Sequence, residues 1–433
     1  MRYYSLTNPQ LQVSFKEAAI QGIAPDKGLY FPMSIPKLDK EWVDNIAHLS
    51  KEEIAYKVIH SFIGEEIDND SLQKIVEETL AFDFPVIKVE DNVYSLELYH
   101  GPTLAFKDVG ARFMSRCLGY FTKDRKEKIT VLVATSGDTG GAVANGFYGV
   151  EGVEVVILYP SAKVSTIQEK QLTTLGKNIK AIEVEGSFDD CQDMVKRAFL
   201  DSGLKSCHLT SANSINVARW LPQMFYYFLM YKELSNQGKP IVVSVPSGNF
   251  GNICAGMLAQ KMGLPIHHFI ASTNVNDTVP RFMNSKEYEP KKTIETISNA
   301  MDVSNPSNFV RILELYNSEG EVLDKHLTAY TFSDKETIAT MKKVYKETDY
   351  LLDPHGAVGY LGVKKFLDDK TDYLGVFLET AHPVKFPESI ISNLGIEIPI
   401  PDSLKPLLFK EKQSVKINSY EELKQHLLTS FSS

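Results

Sequence analysis

Short apolar runs rich in β-branched residues alternate with helix-like stretches along most of this 433-residue chain. The runs predict strands over 128–135, 153–160, 179–186, 239–246, 266–273 and 373–380. Helical spacing of apolar residues falls between them, over 139–149, 165–175, 187–202, 214–235, 251–263 and 354–368. Strands that are apolar on both faces and separated by helices are typical of parallel sheets covered on both sides. The pattern therefore predicts an α/β fold with more than one wound parallel sheet.

The rest of the chain lacks this rhythm. The first 80 residues are helical and loop-rich, with helices predicted over 52–64 and 70–82. The stretch 275–335 is irregular apart from a helix over 308–318, and the tail predicts a short amphipathic helix over 419–428. At roughly 100–200 residues per domain, the length predicts two or three domains.

Composition narrows the possible partners. The net charge of −9 argues against a general nucleic-acid binder, which needs a basic face, and against adhesion to an anionic membrane. The densest apolar patch, residues 225–231, is far shorter than the roughly 20 residues of a membrane span and predicts a buried helix. The N-terminus lacks the apolar core of a secretory signal. We expect a soluble, cytoplasmic protein without a nucleic-acid or membrane partner.

The four cysteines, Cys117, Cys191, Cys207 and Cys254, stand far apart in the chain. None forms a CxxC pair, and no histidine cluster has the spacing of metal ligands, so we expect no metal site. We interpret them as small buried hydrophobic residues in a reducing compartment.

Two glycine-rich junctions join a predicted strand to a predicted helix. TSGDTGGAVANG spans 135–146 and PSGNFGNICAG spans 246–256. Free backbone N–H groups and the helix dipole favour an anion at such a junction, and ligands bind at this edge of open α/β sheets. A tight turn alone would explain either glycine cluster, but two clusters in separate wound units favour two bound anionic groups. Neither is a P-loop or a GxGxxG dinucleotide turn, so a phosphate monoester of a small cofactor fits better.

Lys107 follows a Gly-Pro-Thr turn inside an otherwise apolar run, residues 98–114. One interpretation is a helical lysine whose ammonium group reaches solvent. The alternative is a lysine in a medium of low dielectric constant, where its pKa falls and its neutral amine becomes a nucleophile that forms a Schiff base. Such a lysine and a phosphate-binding glycine loop are the minimum equipment for pyridoxal phosphate.

Seven stretches of the chain resemble the threonine synthase family, in its bacterial and fungal-like group with an extra N-terminal segment. They are QVSFKEAAIQGIAPDKGLYFP, HGPTLAFKD, ATSGDTGGAV, NSINVARW, SVPSGNFGN, NVNDTVPRF and ETAHPVKF. SGNFGN alone indicates only the wider group of fold type II pyridoxal-phosphate enzymes. HGPTLAFKD together with SGDTG and TAHPVKF is specific to threonine synthases and a few close relatives. The resemblance covers essentially the whole chain.

The resemblance implies a tryptophan synthase β-like fold, with two wound parallel-sheet domains and a helical N-terminal segment. It implies an N-terminal segment over 1–80 and a catalytic region over 81–433. Within the catalytic region, a small α/β subdomain covers approximately 103–212 and a large α/β subdomain covers the remainder. We expect a monomer or a homodimer.

The resemblance also implies the site residues. Lys107 matches the Schiff-base lysine, and Thr380 matches the partner of the pyridine nitrogen, where a hydroxyl cannot fully protonate the ring as an aspartate would. Asp138 matches a residue beside the cofactor's 3′-oxygen, although most fold type II enzymes have asparagine there. The implied cradle for the cofactor phosphate is Gly248, Asn249, Phe250, Gly251 and Asn252. The implied substrate-binding residues are Ser136, Gly137, Thr139, Asn213, Ser214 and Arg219, the last a two-pronged phosphate ligand.

The implied reaction is that of a pyridoxal-phosphate-dependent carbon–oxygen lyase, which converts O-phospho-L-homoserine and water to L-threonine and phosphate in the last step of threonine biosynthesis. Alternatives on this scaffold are a phospholyase, a hydroxyamino-acid dehydratase or a catalytically silent cofactor-binding protein. A dinucleotide-dependent oxidoreductase is disfavoured by the missing glycine fingerprint. Family-like stretches also contain His100, Asp302, His355 and His382, to which we assign no chemistry. Asp353 in DPHGAV predicts a helix cap.

Overall fold

The computed structural model describes residues 1–317 and 322–429, which build three sheets. The strands are β1 (Arg2–Ser5), β2 (Gln12–Ser14), β3 (Tyr30–Pro32), β4 (Val86–Glu90), β5 (Val93–Glu97), β6 (Ile129–Ala134), β7 (Val153–Pro160), β8 (Ile179–Val184), β9 (Leu209–Thr210), β10 (Ile241–Pro246), β11 (Ile266–Thr273), β12 (Leu327–Thr331), β13 (Leu374–Glu379) and β14 (Ser414–Ile417).

Two of the sheets are wound and almost wholly parallel. The six-stranded sheet has the order β12-β11-β10-β13-β5-β4, in which only the β4–β5 pair is antiparallel. The five-stranded sheet has the order β14-β8-β7-β6-β9, with all neighbours parallel. A three-stranded antiparallel sheet, β2-β1-β3, belongs to the N-terminal segment. The predicted α/β fold with two wound parallel sheets is confirmed.

Helices cover the sheets and complete the N-terminal segment. They are α1 (Phe15–Gln21), α2 (Lys40–Asp44), α3 (Lys51–Ile63), α4 (Asn69–Thr79), α5 (Lys107–Thr122), α6 (Asp138–Phe147), α7 (Thr166–Thr173), α8 (Phe188–Leu200), α9 (Val217–Trp220), α10 (Met224–Leu234), α11 (Gly251–Met262), α12 (Thr278–Ser285), α13 (Phe309–Asn317), α14 (Asp334–Thr348), α15 (Pro354–Leu367), α16 (Pro387–Leu394), α17 (Lys405–Leu408) and α18 (Tyr420–Thr429). Local sequence fixes many of their starts, because serine capping boxes open α1, α3, α7, α8 and α14.

Most predicted elements agree with the structure to within a few residues. The predicted strands 153–160 and 266–273 coincide with β7 and β11. The single helix predicted over 214–235 is wrong, because α9 ends at Trp220 and a short 3₁₀ turn separates it from α10. Pro222 lies in that turn, and proline lacks the N–H group that a continuous α-helix would need.

Several short strands have no clear signal in the sequence. The N-terminal sheet is built from strands of three or four residues, too short to show a two-residue alternation. The edge strands β12 and β14 are mostly exposed or half-buried, so they lack the continuous apolar run by which the central strands are recognised. Edge strands of this kind are recognisable only from the neighbour with which they pair.

The main core extends from the six-stranded sheet with α10 and α11 to the five-stranded sheet with α5 and α6, and it includes the helices of the N-terminal segment. Tyr226, Tyr227 and Phe228 of α10 are completely buried, which confirms the buried helix predicted over 225–231. The four cysteines are buried and unpaired, as expected of small hydrophobic residues. Within the described ranges, no helix combines the length and hydrophobicity that crossing a membrane requires.

The C-terminal segment closes the edge of the five-stranded sheet. Strand β14 pairs with β8, and α18 buries Leu423 and Leu427 against the outer face. The ammonium group of Lys412 lies 2.6 Å from a carboxylate oxygen of Glu169 and 2.6 Å from one of Glu183. These contacts join the end of the chain to the sheet that carries the first glycine-rich junction.

Three loops that leave the carboxyl ends of strands carry most of the predicted site residues, whereas Lys107 lies in the segment after β5, and Asn213, Ser214 and Arg219 follow β9. One loop follows β6, one follows β10 and one follows β13. Because β10 and β13 are neighbours in the same parallel sheet, their loops emerge side by side. The loop after β6 comes from the five-stranded sheet, so the candidate site lies between the two sheets.

We predict that Gly256→Ala loosens the helix that carries the second glycine-rich junction. A Cβ atom at Gly256 would lie 2.6 Å from Cζ of Tyr227 and 2.7 Å from Cε1 of Phe269, and rings in a packed core cannot yield. Overpacking of this kind costs roughly 1–3 kcal/mol, so we expect a lower thermal unfolding midpoint. Gly119→Ala is the control, because its new methyl group meets only a Val150 methyl at 3.1 Å. An unchanged midpoint in Gly256→Ala would refute the packing argument.

Candidate active site

The turn before α5 places Lys107 at the first position of that helix. Leu104 has a φ of 58°, in the left-handed region that side chains rarely adopt, and its N–H donates to the Gly101 carbonyl at 3.0 Å. The N–H of Phe106 donates to the Thr380 carbonyl at 2.9 Å. The turn is thereby tied to the segment after β13, which brings the backbone of Lys107 close to that of Thr380.

The surroundings of Lys107 favour a neutral amine. The side chain is only partly exposed, and no described residue accepts a hydrogen bond from its Nζ. Burial lowers the pKa of Lys107 below its ordinary value; Asp138 opposes that change, and the cations Lys385 and Arg219 add to it. These surroundings support the nucleophile interpretation over that of a lysine reaching for solvent.

A buried ion pair lies beside Lys107. Asp138 Oδ1 and Lys385 Nζ are 2.7 Å apart, and their side chains are 6% and 0% exposed. Gln168 Nε2 donates to the same oxygen at 2.9 Å, and Lys385 Nζ donates to the Thr103 carbonyl at 2.8 Å. Burial would raise the pKa of Asp138, but the charges of Lys385 and Lys107 hold it well below its usual range. Asp138 is therefore an anion that contacts Lys385 and is stabilised by the nearby charge of Lys107.

Lys385 is a residue of the site that the sequence analysis missed. It lies in the TAHPVKF stretch but has no local feature that distinguishes it from an exposed lysine. The only available signal was its place in a family-like motif. Its partners, Asp138 and the Thr103 carbonyl, are far away in sequence and are brought to it by the two sheets.

The loop after β6 turns around the hydroxyl of Thr135, which accepts the N–H of Gly137 at 3.0 Å. Gly137 has a φ of 142°, and a Cβ atom there would lie 2.5 Å from Cδ of Gln168, so the position requires glycine. Among the described residues, the N–H groups of Ser136 and Thr139 have no hydrogen-bond partner. Because they stand at the start of α6, these two groups can receive an anion.

The loop after β10 also offers free backbone donors. In the described part of the chain, the N–H groups of Gly248, Asn249, Phe250 and Gly251 donate to no oxygen. Phe250 has a φ of 60°, and its buried ring packs edge-on against Phe309 with centroids 5.8 Å apart, which holds the unfavourable conformation. Four free N–H groups at the start of α11 form a cradle for an anion.

The asparagine side chains of this loop are engaged in the protein. Asn252 Nδ2 donates to the Pro246 carbonyl at 3.0 Å, and its Oδ1 accepts the N–H of Ile253 at 3.0 Å. Asn249 is exposed, and its Oδ1 accepts the N–H of Ser307 at 3.3 Å. Both side chains shape the loop, so it is the backbone that remains free to hold a ligand.

Arg219 is a buried cation with an unused donor. Its side chain is 4% exposed, Nη1 donates to the Ala212 carbonyl at 2.7 Å, and Nε has no partner among the described residues. Burial lowers the pKa of Arg219 to about 10, which leaves it charged at neutral pH. A Cβ atom at Gly110 of α5 would lie 2.6 Å from the Arg219 carbonyl, so glycine permits this close approach. The charge of Arg219 acts on Lys107, so it can attract an anionic ligand there.

Asn213 and Ser214 lie half-buried between Arg219 and the loop after β10. Ser214 Oγ accepts from Asn308 Nδ2 at 3.2 Å, and Ser214 Cβ lies 3.2 Å from the position of a Cβ atom at Gly251. Ser214 therefore borders the anion cradle. Asn308 also donates to the carbonyl of that loop's exposed asparagine at 3.1 Å, and no motif identified it in the sequence.

Arg311 hydrogen-bonds to the segment that contains Ser214. It is a second buried residue that could not be identified from the sequence. It is completely buried and donates to the carbonyls of Tyr30 at 2.8 Å, Ile215 at 2.7 Å and Ser214 at 3.4 Å. Three backbone partners account for its burial, and they tie the N-terminal segment to the candidate substrate-binding stretch.

His100 and His382 lie on either side of one aromatic ring. His100 Nε2 is 2.7 Å from Glu97 Oε2, and His382 Nδ1 accepts the N–H of Val384 at 3.1 Å. The ring of Tyr99 lies 4.8 Å from that of His100 and 5.2 Å from that of His382, centroid to centroid. Burial lowers the pKa of His382, so it is neutral at physiological pH.

Asp353 and His355 form the start of α15. Asp353 Oδ1 accepts the His355 N–H at 2.7 Å, which confirms the predicted cap, and it lies 2.6 Å from His355 Nδ1. Asp302 accepts the N–H of Thr296 at 3.0 Å and an amide hydrogen of Asn274 at 2.9 Å. Burial raises the pKa of Asp302 to about 6.

The arrangement fits a small phosphorylated cofactor with an aldehyde. The cradle of free N–H groups after β10 suits the phosphate, and the lowered pKa of Lys107 suits a covalent attachment. The hydroxyl of Thr380 is buried and has no partner in the described ranges, so it can accept or donate a hydrogen bond at a heteroaromatic ring. Donors of this set are those that pyridoxal phosphate requires.

Comparison with protein families agrees with the site. The family described as pyridoxal-phosphate dependent enzyme matches residues 83–376. The threonine synthase N terminus matches residues 2–80, and the threonine synthase C-terminal family matches residues 356–427. The three matches together account for nearly the whole chain.

Individual relatives give the same result. The threonine synthase of Haemophilus influenzae is 45% identical over 99% of this chain and 100% of its own length. The crystal structure of threonine synthase from Escherichia coli superimposes with a TM-score of 0.92 at 43% identity, covering 99% of this chain and 100% of that one. The pyridoxal-phosphate-bound threonine synthase of Brucella melitensis gives a TM-score of 0.93 at 33% identity and covers both chains fully. The chain belongs to the threonine synthase family of pyridoxal-phosphate-dependent enzymes.

Proposed function

We propose that Lys107 and the loops around it convert O-phospho-L-homoserine and water to L-threonine and phosphate, the last step of threonine biosynthesis. The observation that carries the proposal is the environment of Lys107. Its amine is partly buried, has a lowered pKa and lies among Asp138, Lys385 and Arg219. This is the combination that a nucleophile and proton carrier needs beside an anionic substrate.

The chain holds its cofactor mainly through backbone groups. Lys107 would be the covalent attachment point, Thr380 would bond to the ring nitrogen and Asp138 would face the 3′-oxygen. The loop of Gly248, Asn249, Phe250, Gly251 and Asn252 would hold the phosphate. When bound, pyridoxal phosphate supplies an electron sink for the negative charge that develops on the substrate.

Lys107 Nζ moves the protons of the reaction. As a neutral amine, it would accept the substrate's α proton and pass it to the phosphate that departs, and it would then accept the β proton and return it to the γ carbon; the proton released by the added water would finally reach the α carbon through the same amine. The carboxylate of Asp138 stabilises the ammonium group of Lys107 between these transfers. Lys385, 2.7 Å from Asp138, keeps that carboxylate ionised.

Arg219 receives the phosphate that leaves the substrate. Its charge stabilises the developing phosphate dianion, and Asn213 and Ser214 add polar contacts. The substrate's carboxylate is held by the loop of Ser136, Gly137 and Thr139, whose free N–H groups open α6. Water then adds at the β carbon.

An apolar cluster keeps the amine out of bulk water until that step. Leu104, Ile167, Val384 and Leu404 pack together over the turn that precedes Lys107. Leu404 comes from the C-terminal segment, so the tail of the chain helps to seal the site. Exclusion of water strengthens the electrostatic contacts inside and prevents side reactions.

The direct test supplies the purified protein with pyridoxal phosphate and O-phospho-L-homoserine and measures phosphate and threonine together. Equal yields support the proposal. Phosphate without threonine would indicate a phospholyase, and ammonia released from hydroxyamino acids would indicate a dehydratase. A protein that binds the cofactor and releases none of these products would be catalytically silent. Bleaching of the cofactor absorbance by borohydride would exclude the alternative of a dinucleotide-dependent oxidoreductase.

Three further expectations belong to this proposal. The division into 1–80 and 81–433, with a small subdomain at approximately 103–212, remains a prediction. The state of the protein as a monomer or homodimer is also a prediction, which light scattering of the holoenzyme tests. A cytoplasmic location follows from the proposed biosynthetic role.

Lys107→Ala is expected to fold normally and to lose threonine formation by at least about a thousandfold, because both the nucleophile and the proton carrier are removed. Borohydride reduction followed by peptide mapping should label Lys107 in the wild type and no residue in the variant. Lys123→Ala is the matched control, since Lys123 is exposed just beyond the other end of α5. A Lys107→Ala variant with near wild-type activity would exclude Lys107 from the mechanism.

Arg219→Ala is expected to raise KM for O-phospho-L-homoserine about ten- to a hundredfold, because it removes a charged hydrogen bond worth roughly 1.5–3 kcal/mol. The KM of Arg219→Lys should lie between those of the wild type and Arg219→Ala, since lysine keeps the charge and loses the planar geometry. An analogue that lacks the phosphate should bind all three proteins about equally. Equal weakening of that analogue would show that Arg219 is structural or binds the carboxylate.

Lys385→Gln is expected to move the acidic limb of the kcat/KM profile to higher pH by about one unit or more. Loss of the cation raises the pKa of Asp138, which burial alone already favours, and it also raises the pKa of Lys107. Both groups then stay protonated at higher pH. Lys385→Arg keeps the charge and should leave the limb in place. An unchanged profile in Lys385→Gln would contradict the assigned electrostatics.

A further inference from the structure

A pair of carboxyl groups lies behind the cofactor site, in the interface between β13 and α15. Glu379 ends β13 and directly precedes Thr380, and Asp353 caps α15; both side chains are completely buried. A Cβ atom at Gly356, in the first turn of α15, would overlap the Glu379 carboxyl group. Glycine at position 356 therefore creates the space that Glu379 fills.

The two carboxyl groups have opposite surroundings. Asp353 accepts the His355 N–H at 2.7 Å and the Gly356 N–H at 3.3 Å, and it lies 2.6 Å from His355 Nδ1. Neither oxygen of Glu379 accepts a hydrogen bond from any described residue. The two carboxyl groups nevertheless lie against the same glycine, because a Cβ atom at Gly356 would overlap Glu379 Oε1 and the Gly356 N–H donates to Asp353 Oδ2. Two adjacent carboxylates in a dry interior repel each other, so one of them must carry a proton.

The proton belongs to Glu379. Asp353 has three hydrogen-bond donors and the positive end of a helix dipole, which favour its ionised form. Burial raises the pKa of Glu379 well above its ordinary value, and the charges of Asp353 and Glu97 add to this. Burial would raise the pKa of Asp353 too, but His355 outweighs it and lowers that pKa. Tyr99 and Tyr350 are the other titratable groups near Glu379.

Asp353 in turn orients the imidazole ring of His355, and this ring supports the backbone that packs against the loop after β10. His355 Nε2 accepts the N–H of Ala300 at 3.2 Å, so the ring proton is on Nδ1 and points to Asp353. The Ala300 carbonyl lies 2.8 Å, and Met301 Cα 3.0 Å, from the position of a Cβ atom at Gly248. The backbone that His355 supports thus lies directly against the cradle.

We propose that Glu379 is a positioning residue for the cofactor loop: as a neutral carboxylic acid it donates a hydrogen bond to Asp353, which fixes His355 beneath the Ala300–Met301 backbone. The link to cofactor binding rests on the proposed role of the Gly248 loop, whereas the proton on Glu379 does not. A glutamine at 379 has the same shape and keeps a donor toward Asp353. An alanine at 379 has no donor.

The first experiment locates the proton. The infrared spectrum of the wild type at neutral pH should contain the carbonyl band of a protonated carboxyl group, and this band should be lost in Glu379→Gln. The unfolded state releases the proton near pH 4.3, so above that pH the folded state holds one more proton and the wild type loses stability as pH rises, until the folded pKa is passed. The ratio of the unfolding constants, wild type over Glu379→Gln, should therefore rise by up to about tenfold per pH unit.

Glu90→Gln is the matched control for the increase of this ratio of unfolding constants with pH. Glu90 is a half-buried carboxylate 2.7 Å from Lys364 of α15, so its removal should produce no such increase with pH. A purely steric role for Glu379 would give a ratio independent of pH. Such a flat ratio, or an infrared spectrum in which Glu379→Gln removes no acid band, would overturn the proposal.

The second experiment measures the link to the loop. Glu379→Ala combined with Gly356→Ala refills the space with a methyl group but leaves Asp353 without the donor. The dissociation constant of pyridoxal phosphate should rise about tenfold in this double variant and stay within about twofold of the wild type in Glu379→Gln, since one buried hydrogen bond to a charged group is lost only in the former. Equal affinities in all three proteins would overturn the positioning role. Failure of even the wild type to bind pyridoxal phosphate would instead refute the proposed function, and the infrared result would stand.

Discussion

The buried ion pair between Asp138 and Lys385 is the contact on which the rest of the site depends. Asp138 comes from the loop after β6 of the five-stranded sheet, and Lys385 comes from the segment after β13 of the six-stranded sheet. Taking two charges out of water costs several kcal/mol per ion, and that cost is offset only because Gln168 and the Thr103 carbonyl complete the hydrogen bonding. The pair therefore holds in only one relative placement of the two loops, and that placement encloses Lys107.

The same charges explain how an acidic protein can bind anions. The chain carries a net charge of −9, yet the cations Lys385 and Arg219 both act on Lys107; Asp138 is the anion beside Lys107 and Lys385, and the buried carboxyl group of Asp108 lies near Arg219 and Lys385. Burial, with a smaller contribution from repulsion by Lys385 and Arg219, lowers the pKa of Lys107, and backbone N–H groups at two helix starts add partial positive charge. A local excess of positive charge in a pocket of low dielectric constant outweighs the distant negative surface. The geometry that activates the lysine is thus the geometry that attracts a phosphate and a carboxylate.

Prediction from sequence succeeded where the signal was local. The strands 153–160 and 266–273 are continuous apolar runs, so the fold class could be inferred, and the composition of the two glycine-rich junctions located the loops that have free backbone N–H groups. The roles of Lys385 and Arg311 could not be inferred, because each of these residues has at least one hydrogen-bond partner more than 200 residues away in the chain. Glu379 is a similar case. The role proposed for Glu379 depends on its neighbour Asp353 and on the absence of a side chain at Gly356. Only the packing of β13 on α15 brings these three residues together.

Backbone strain occurs in the two turns that position Lys107 and the loop after β10. Leu104 and Phe250 both have left-handed φ values, and each stands just before a helix that carries a site loop or the lysine. Such conformations cost about 1–3 kcal/mol each and persist only where the surroundings determine them. Leu104 is held by the apolar cluster that includes Leu404, and Phe250 by the ring of Phe309. Both conformations are thus determined by the packed protein itself, so the lysine and the cradle are positioned by the fold before any ligand arrives. Most of the ordering that binding would otherwise require is completed during folding, and a ligand's interaction energy is left for the steps of the reaction.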